Sequence, residues 1–222
     1  MFVHVDQRPR RLTPWATIAI IAICVVAFLM LALDGADERA QFLRRWGTVP
    51  ATLSSDSIPL LLRALPLCTS LFLHADWLHL TGNLLFLMIF GISAERALGS
   101  RRFIALFLLG GAAANLAGAL TLANASTPIV GSSGAVSAIV GAYFALFPRA
   151  RLGLVLPLGL FLEFVRIPAP VLIGFWILLQ LLFTFAGPTF GAVVWWTHIA
   201  GFALGILFAL VSRPAVGRRL RT

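Results

Sequence analysis

Lysine is missing altogether, and the basic charge of this 222-residue chain rests on 17 arginines set against 8 acidic residues. Charged residues of both signs make up only 11%, against roughly 25% in an ordinary soluble domain. That scarcity, with 60% hydrophobic residues and a mean hydropathy of +0.97, excludes a large soluble core and implies a polytopic membrane protein. Cysteine is nearly absent too. Cys24 and Cys68 have neither metal-ligand nor redox spacing, so both read as packing residues and no metal is expected. The net charge of +9 raises nucleic acid as a partner. The arginines, however, stand in short clusters between apolar runs, which is the pattern of membrane topology. Nucleic acid is therefore not expected, and membrane lipid is.

What is present is a series of apolar runs near the length of about 20 residues that a membrane helix needs. They predict six spans, close to Trp15–Leu33, Trp77–Leu98, Phe103–Ala123, Ser132–Phe147, Pro170–Phe185 and Val194–Val211. The first is too long for a signal-peptide core and lacks a small-residue cleavage site after it, so it reads as a retained span. Residues 34–73 mix charges with apolar residues and read as a loop of short amphipathic helices at the membrane interface. Leu152–Leu162 is apolar but too short to span. With Glu163 and Arg166 it reads as an irregular connector. No Asp, Glu or Arg occurs from Ile167 to Val211, and Ala186-Gly187-Pro188 divides that stretch in two. The fold class expected is an all-α, six-helix membrane bundle. Residues 1–14 form an N-terminal tail, 15–212 the membrane domain and 213–222 a basic tail.

The arginines orient it. With the N-terminus in the cytoplasm, inner segments hold Arg8, Arg10, Arg11, Arg96, Arg101, Arg102, Arg149, Arg151, Arg166, Arg213, Arg218, Arg219 and Arg221. Outer segments hold only Arg39, Arg44, Arg45 and Arg63. The excess of inner arginines predicts both termini in the cytoplasm.

Polar groups inside a membrane are costly and are functional candidates for that reason. Under this topology the second, fourth and sixth spans all start at the outer face. His79 and Asn83 open the second, Ser133 opens the fourth and His198 opens the sixth, so all four fall at a similar depth. His79 and Asn83 are four apart and share a helix face. Serine needs a base to act as a nucleophile, and histidine serves near neutral pH. No carboxylate lies at that depth, since Glu95 stands at the inner end of its span. A Ser133–His198 dyad is expected, with His79, the Asn83 amide and the Ser133 backbone N–H as donors to a developing oxyanion. Gly131 and Gly134 flank the serine and let the loop turn sharply into its helix. Gly134, Ala138, Gly141 and Ala145 on one helix, and Gly201 and Gly205 on the face of His198, allow close helix approach.

Four motifs, in order along the chain, carry a resemblance. They are His74-Ala-Asp-Trp-Leu-His79-Leu-Thr-Gly-Asn83, Gly91-Ile-Ser-Ala-Glu95-Arg96-Ala-Leu-Gly99, Gly131-Ser-Ser133-Gly134-Ala135 and Trp195-Trp196-Thr-His198-Ile-Ala-Gly201-Phe-Ala-Leu-Gly205. Together they resemble the rhomboid intramembrane serine proteases, notably the bacterial six-span type, which also matches at Trp46-Gly-Thr-Val-Pro50 and Trp176-Ile-Leu-Leu-Gln180. The resemblance implies Ser133 as nucleophile, His198 as base and His79 and Asn83 at the oxyanion site. It implies Glu95 as a structural acid tying the first loop or the helix ends. It also implies single-pass transmembrane substrates, no cofactor and a multi-pass location in a bacterial inner or cell membrane. Ser132 and Thr197 replace residues that are often Ala. Ser137 stands where some members carry a Tyr stacked on the histidine, so His198 needs another support, and Trp195 or Trp196 are the candidates. Three other readings stand beside this one. A cytochrome would use His79 and His198 as haem ligands, a transporter would use a mid-depth polar site, and a non-catalytic binder would retain transmembrane clients.

Overall fold

The computed structural model describes residues 13–53, 55, 57–122, 125–158, 161–186 and 195–221. The expected tail arginines Arg8, Arg10 and Arg11, the breaker Gly187-Pro188 and the span start Val194 lie outside the described residues.

Helix α1, Trp15–Ala32, is apolar on every face. It buries only one stripe, Ala16, Thr17, Ile20, Cys24, Phe28 and Leu31, at spacings of three and four. The opposite side leaves Ile18, Ile23, Val26, Leu29 and Met30 exposed. A helix that is apolar all round and half exposed is a helix in lipid. Trp77–Leu98 runs as α6 (Trp77–Phe86), a π turn (Leu87–Gly91) and α7 (Ile92–Leu98). Ser100–Thr121 runs as α8 (Ser100–Ala105), a π turn (Leu106–Gly110) and α9 (Gly111–Thr121). These helices, with α1 and the Trp195–Gly217 part of α12, are long and apolar enough to cross a membrane, so the chain is a multi-pass membrane protein, mostly helical.

Between α1 and α6, the short helices α2 (Ala36–Trp46), α3 (Pro50–Leu53), α4 (Leu60–Ala64) and α5 (Pro66–Thr69) form the first loop. The first turn of α2 holds Asp37 and Glu38 and its last turn Arg44 and Arg45, the arrangement its dipole favours.

At the centre stands α10, Ser133–Leu146, with Gly134 to Tyr143 and Ala145 all buried. At about 1.5 Å per residue it is shorter than a bilayer core. Protein rather than lipid surrounds it, so it need not reach both surfaces. Its main partner is α12, Trp195–Arg221, and the small-residue stripes meet as expected. A Cβ at Gly201 would run into the carbonyl of Gly134, one at Gly205 into that of Ala138, and one at Gly141 into that of Phe202.

Two features depart from the sequence reading. The connector forms two strands, and the fold is not purely helical. Strand β1, Arg151–Leu158, pairs antiparallel with β2, Phe161–Pro168, in the register Arg151↔Pro168 to Leu158↔Phe161. The pairing satisfies the backbone N–H and C=O groups that each strand turns toward the other. The basic tail also remains helical. The last helix continues past Val211, with Pro214 inside it, as far as Arg221. Arg213 donates to the Ala145 carbonyl at 3.1 Å, closing the C-terminal end of α10.

Glu95, expected as a structural acid, lies at the far end of the span that His79 opens, away from the candidate site. Its buried carboxylate accepts from the Ala16 N–H at 3.0 Å, the Thr17 N–H at 2.7 Å, the Thr17 hydroxyl at 2.7 Å and the Ser100 hydroxyl at 2.6 Å. It thus caps the positive end of α1 and ties helix ends together rather than the first loop. Glu95→Ala leaves those donors buried and unpaired. It is expected to lower stability by about 3 kcal/mol, read as a reduced unfolding temperature in detergent.

Candidate active site

The Gly131–Ser133 step is held from three sides. Gly131 has φ +113°, a conformation that glycine adopts without strain. Its missing Cβ is needed as well, because a Cβ there would enter the His79 imidazole. The Gly131 N–H donates to the Ser70 carbonyl at 2.9 Å. Ser70 is itself fixed by Asn115, whose Nδ2 donates to its hydroxyl at 2.9 Å, and by Thr48, whose Oγ1 lies 3.1 Å from it. Thr48 in turn bridges to Ile129 in both directions, at 3.0 and 2.8 Å. The first loop therefore anchors the turn that presents Ser133, the first residue of α10. The N–H groups of a first helical turn have no intrahelical acceptors and carry the positive end of the dipole.

His198 lies in the first turn of α12. Its Nδ1 is 2.7 Å from Gln180 Oε1 on α11, Ala169–Ala186. A carbonyl oxygen only accepts, so Nδ1 carries the proton and Nε2 is left as the ring's acceptor. Trp195 meets the ring edge-on at 5.8 Å between centroids, and Trp176 flanks it at 6.3 Å. Ser137 makes no such contribution. Its hydroxyl donates back to the Ser133 carbonyl at 2.7 Å. Trp195 meets the sequence expectation of a supporting aromatic, whereas the contact from Gln180 went unforeseen. A glutamine in an apolar run was a signal for it, since a buried amide in a membrane needs a partner.

His79 and Asn83 both sit on α6. Asp76 caps that helix, accepting from the His79 N–H at 2.8 Å. Asn83 is buried, and its Nδ2 has no hydrogen-bond partner among the described residues. An unsatisfied buried amide donor is costly, and it is available to whatever enters. His74 sits behind, fully buried, with Nε2 3.3 Å from the Ser132 hydroxyl and its ring 5.3 Å from that of His79. Burial first, and the neighbouring His79 second, push His74 down to about 4, so it is neutral at pH 7.

Ser133, His198, His79 and Asn83 all line one cavity of about 680 Å³, together with Ser137, Trp176 and Thr197. The structure thus brings together all four residues that the sequence placed at one depth. The arrangement joins a hydroxyl at a helix mouth, an imidazole held through Nδ1 and a buried amide donor with no partner among the described residues. It is suited to acyl transfer. Gly134 and Gly201 pack the helices that carry the serine and the histidine.

Comparison with known proteins points the same way. A family model described as a rhomboid domain matches residues 62–215, more than half of the chain. "Rhomboid protease GluP" of Bacillus subtilis (strain 168) is 29% identical over 138 residues, 61% of this chain and 26% of that protein. "Presenilin-associated rhomboid-like protein A, mitochondrial" of Danio rerio is 32% identical over 96 residues, 42% of this chain and 25% of that protein. "RHOMBOID-like protein 5" of Arabidopsis thaliana is 34% identical over 76 residues, 34% of this chain and 25% of that protein. The chain thus spans about a quarter of the length of these curated relatives.

Proposed function

The chain belongs to the rhomboid family, and we propose that it is an intramembrane serine endopeptidase that cuts single-pass transmembrane proteins in or near their spans. The observation that carries this reading is the shared cavity. Ser133 and His198, from two different helices, open onto it, with His198 held through Nδ1.

The steps this reading implies are those of acyl transfer through a serine and a histidine. Ser133 Oγ attacks the scissile carbonyl carbon while His198 Nε2 takes its proton. The carbonyl π electrons move to oxygen, and the oxyanion accepts from Asn83 Nδ2, His79 and the Ser133 N–H. The tetrahedral intermediate collapses, the C–N bond breaks and the imidazolium returns its proton to the leaving amine. Water then enters, loses a proton to His198 and hydrolyses the acyl ester, which regenerates Ser133. No cofactor enters any step. The name of the Bacillus subtilis relative, a rhomboid protease, supports the reaction class.

The topology is proposed with it. Ser133–Leu146 and Ala169–Ala186 join the four long helices as the fourth and fifth of six spans. Residues 15–212 form the catalytic domain, flanked by cytoplasmic segments 1–14 and 213–222, in a bacterial inner or cell membrane. The arginine distribution supports this orientation.

Labelling with a fluorophosphonate probe tests the nucleophile. Label is expected on the wild-type chain and on Ser132→Ala but not on Ser133→Ala. The reverse pattern would transfer the role to Ser132, which His74 contacts.

A further inference from the structure

In water a neutral imidazole exchanges between two tautomers, and its ring turns freely about its side-chain bonds. A base must present an unprotonated nitrogen to the serine in one fixed orientation. A carboxylate does this elsewhere by holding the distal ring N–H. Within a membrane an ionised carboxylate is costly. The bundle offers a neutral alternative. Gln180 is 7% exposed, and its amide oxygen lies 2.7 Å from His198 Nδ1. Trp176, one turn earlier on the same face of α11, flanks the same ring. Ser137 is turned away to the Ser133 carbonyl.

We propose that Gln180 is the positioning residue of the site: its amide oxygen fixes His198 in the Nδ1–H tautomer, leaving Nε2 as the base toward Ser133. This rests on the assignment of Ser133 and His198 as nucleophile and base. It makes the site a Ser–His–Gln relay in which the third member orients without charge. An amide cannot stabilise the imidazolium as a carboxylate would, so orientation and tautomer choice are its whole contribution.

Three chains in proteoliposomes with a single-pass transmembrane substrate test it: wild type, Gln180→Leu and Gln180→Glu. Gln180→Leu keeps the bulk and removes the acceptor. It is expected to lower kcat roughly 10- to 100-fold, the range for losing a partner that orients a metal-bound histidine, with KM within about twofold because the substrate contacts persist. Gln180→Glu is an acceptor alone only while ionised, because the protonated carboxyl also offers an O–H that can donate to Nδ1 and select the other tautomer. Its kcat is expected to recover at high pH and to fall through a new acid limb absent from wild type. A purely structural role for Gln180 would move neither the kcat-to-KM split nor the pH profile. The tautomer is read separately from the ¹⁵N shifts of His198, expected to be Nδ1–H in wild type and a mixture in Gln180→Leu.

Wild-type kcat and pH profile in Gln180→Leu, or an Nε2–H tautomer in the wild-type chain, would overturn the proposal. Ser133→Ala serves as the control in the same assay. If the wild-type chain neither cleaves nor takes the fluorophosphonate label, the protease reading falls and this role falls with it. If wild type is active and Gln180→Leu matches it, only the role of Gln180 falls.

Discussion

Ser133→Ala is expected to cut the turnover of a reconstituted transmembrane substrate by about 10⁴- to 10⁶-fold, with the unfolding temperature of the chain unchanged. The size follows from what the substitution removes. In serine hydrolases the nucleophile and base act as a unit, and losing either leaves only the contributions of binding and the oxyanion site. His198→Ala is expected to fall as far, and the double variant no further, because each single change already breaks the unit. Stability is spared because the Ser133 side chain opens onto the cavity. The carbonyl that accepts from Ser137 belongs to the backbone and survives the substitution. Ser132→Ala, which loses only the 3.3 Å contact with His74, is expected to stay within about tenfold of wild type, the worth of one neutral hydrogen bond. Substrate cleavage followed by gel, beside thermal unfolding of the same preparations, separates the outcomes. Wild-type cleavage by Ser133→Ala would remove the dyad.

Gly205→Val is expected to be the most damaging change away from the cavity. The Cβ it adds would collide with the Ala138 carbonyl on the central helix. A backbone atom within a packed helix cannot rotate aside as a side chain can, so α10 and α12 must separate. Overpacking of this kind costs about 3 kcal/mol or more, an expected drop of roughly 6–12 °C in Tm for a chain of this size. The loss of activity should exceed the loss of stability. Those two helices carry Ser133 and His198, and a misplacement of about 1 Å at the reacting groups can cost 100-fold. Gly174→Ala is the matched control. Nothing lies within 4 Å of a Cβ built there, and alanine is the better helix former. It should leave Tm unchanged or slightly raised. Unfolding and fluorophosphonate labelling of the two variants, measured side by side, provide the check.

The one-letter sequence carried much of this fold, for reasons specific to membranes. Lipid imposes length and polarity limits that soluble cores do not, so the boundaries of Trp77–Leu98 were readable to the residue. Alternating span direction grouped His79, Ser133 and His198, and all three line one cavity. The hairpin was not readable. Between Arg151 and Pro168 the apolar pattern has no helical or span length, and each strand finds its partners only in the other. The role of Glu95 was only half readable. A carboxylate at a helix end signals a tie, but its partners at Ala16 and Thr17 come from a distant part of the chain.

By itself, then, the sequence determined which segments form long apolar helices, which polar residues belong together and which glycines permit close packing. Each of these depends on local composition and spacing. The tertiary structure alone decided what each polar group touches. Gln180 and His198 stand on separate helices, and neither spacing nor depth specifies the rotation of one helix about its axis relative to another. That rotation is set by packing, where the glycines of α12 seat against the carbonyls of α10. It brings an amide oxygen, rather than an aromatic ring at position 137, to the Nδ1 of His198.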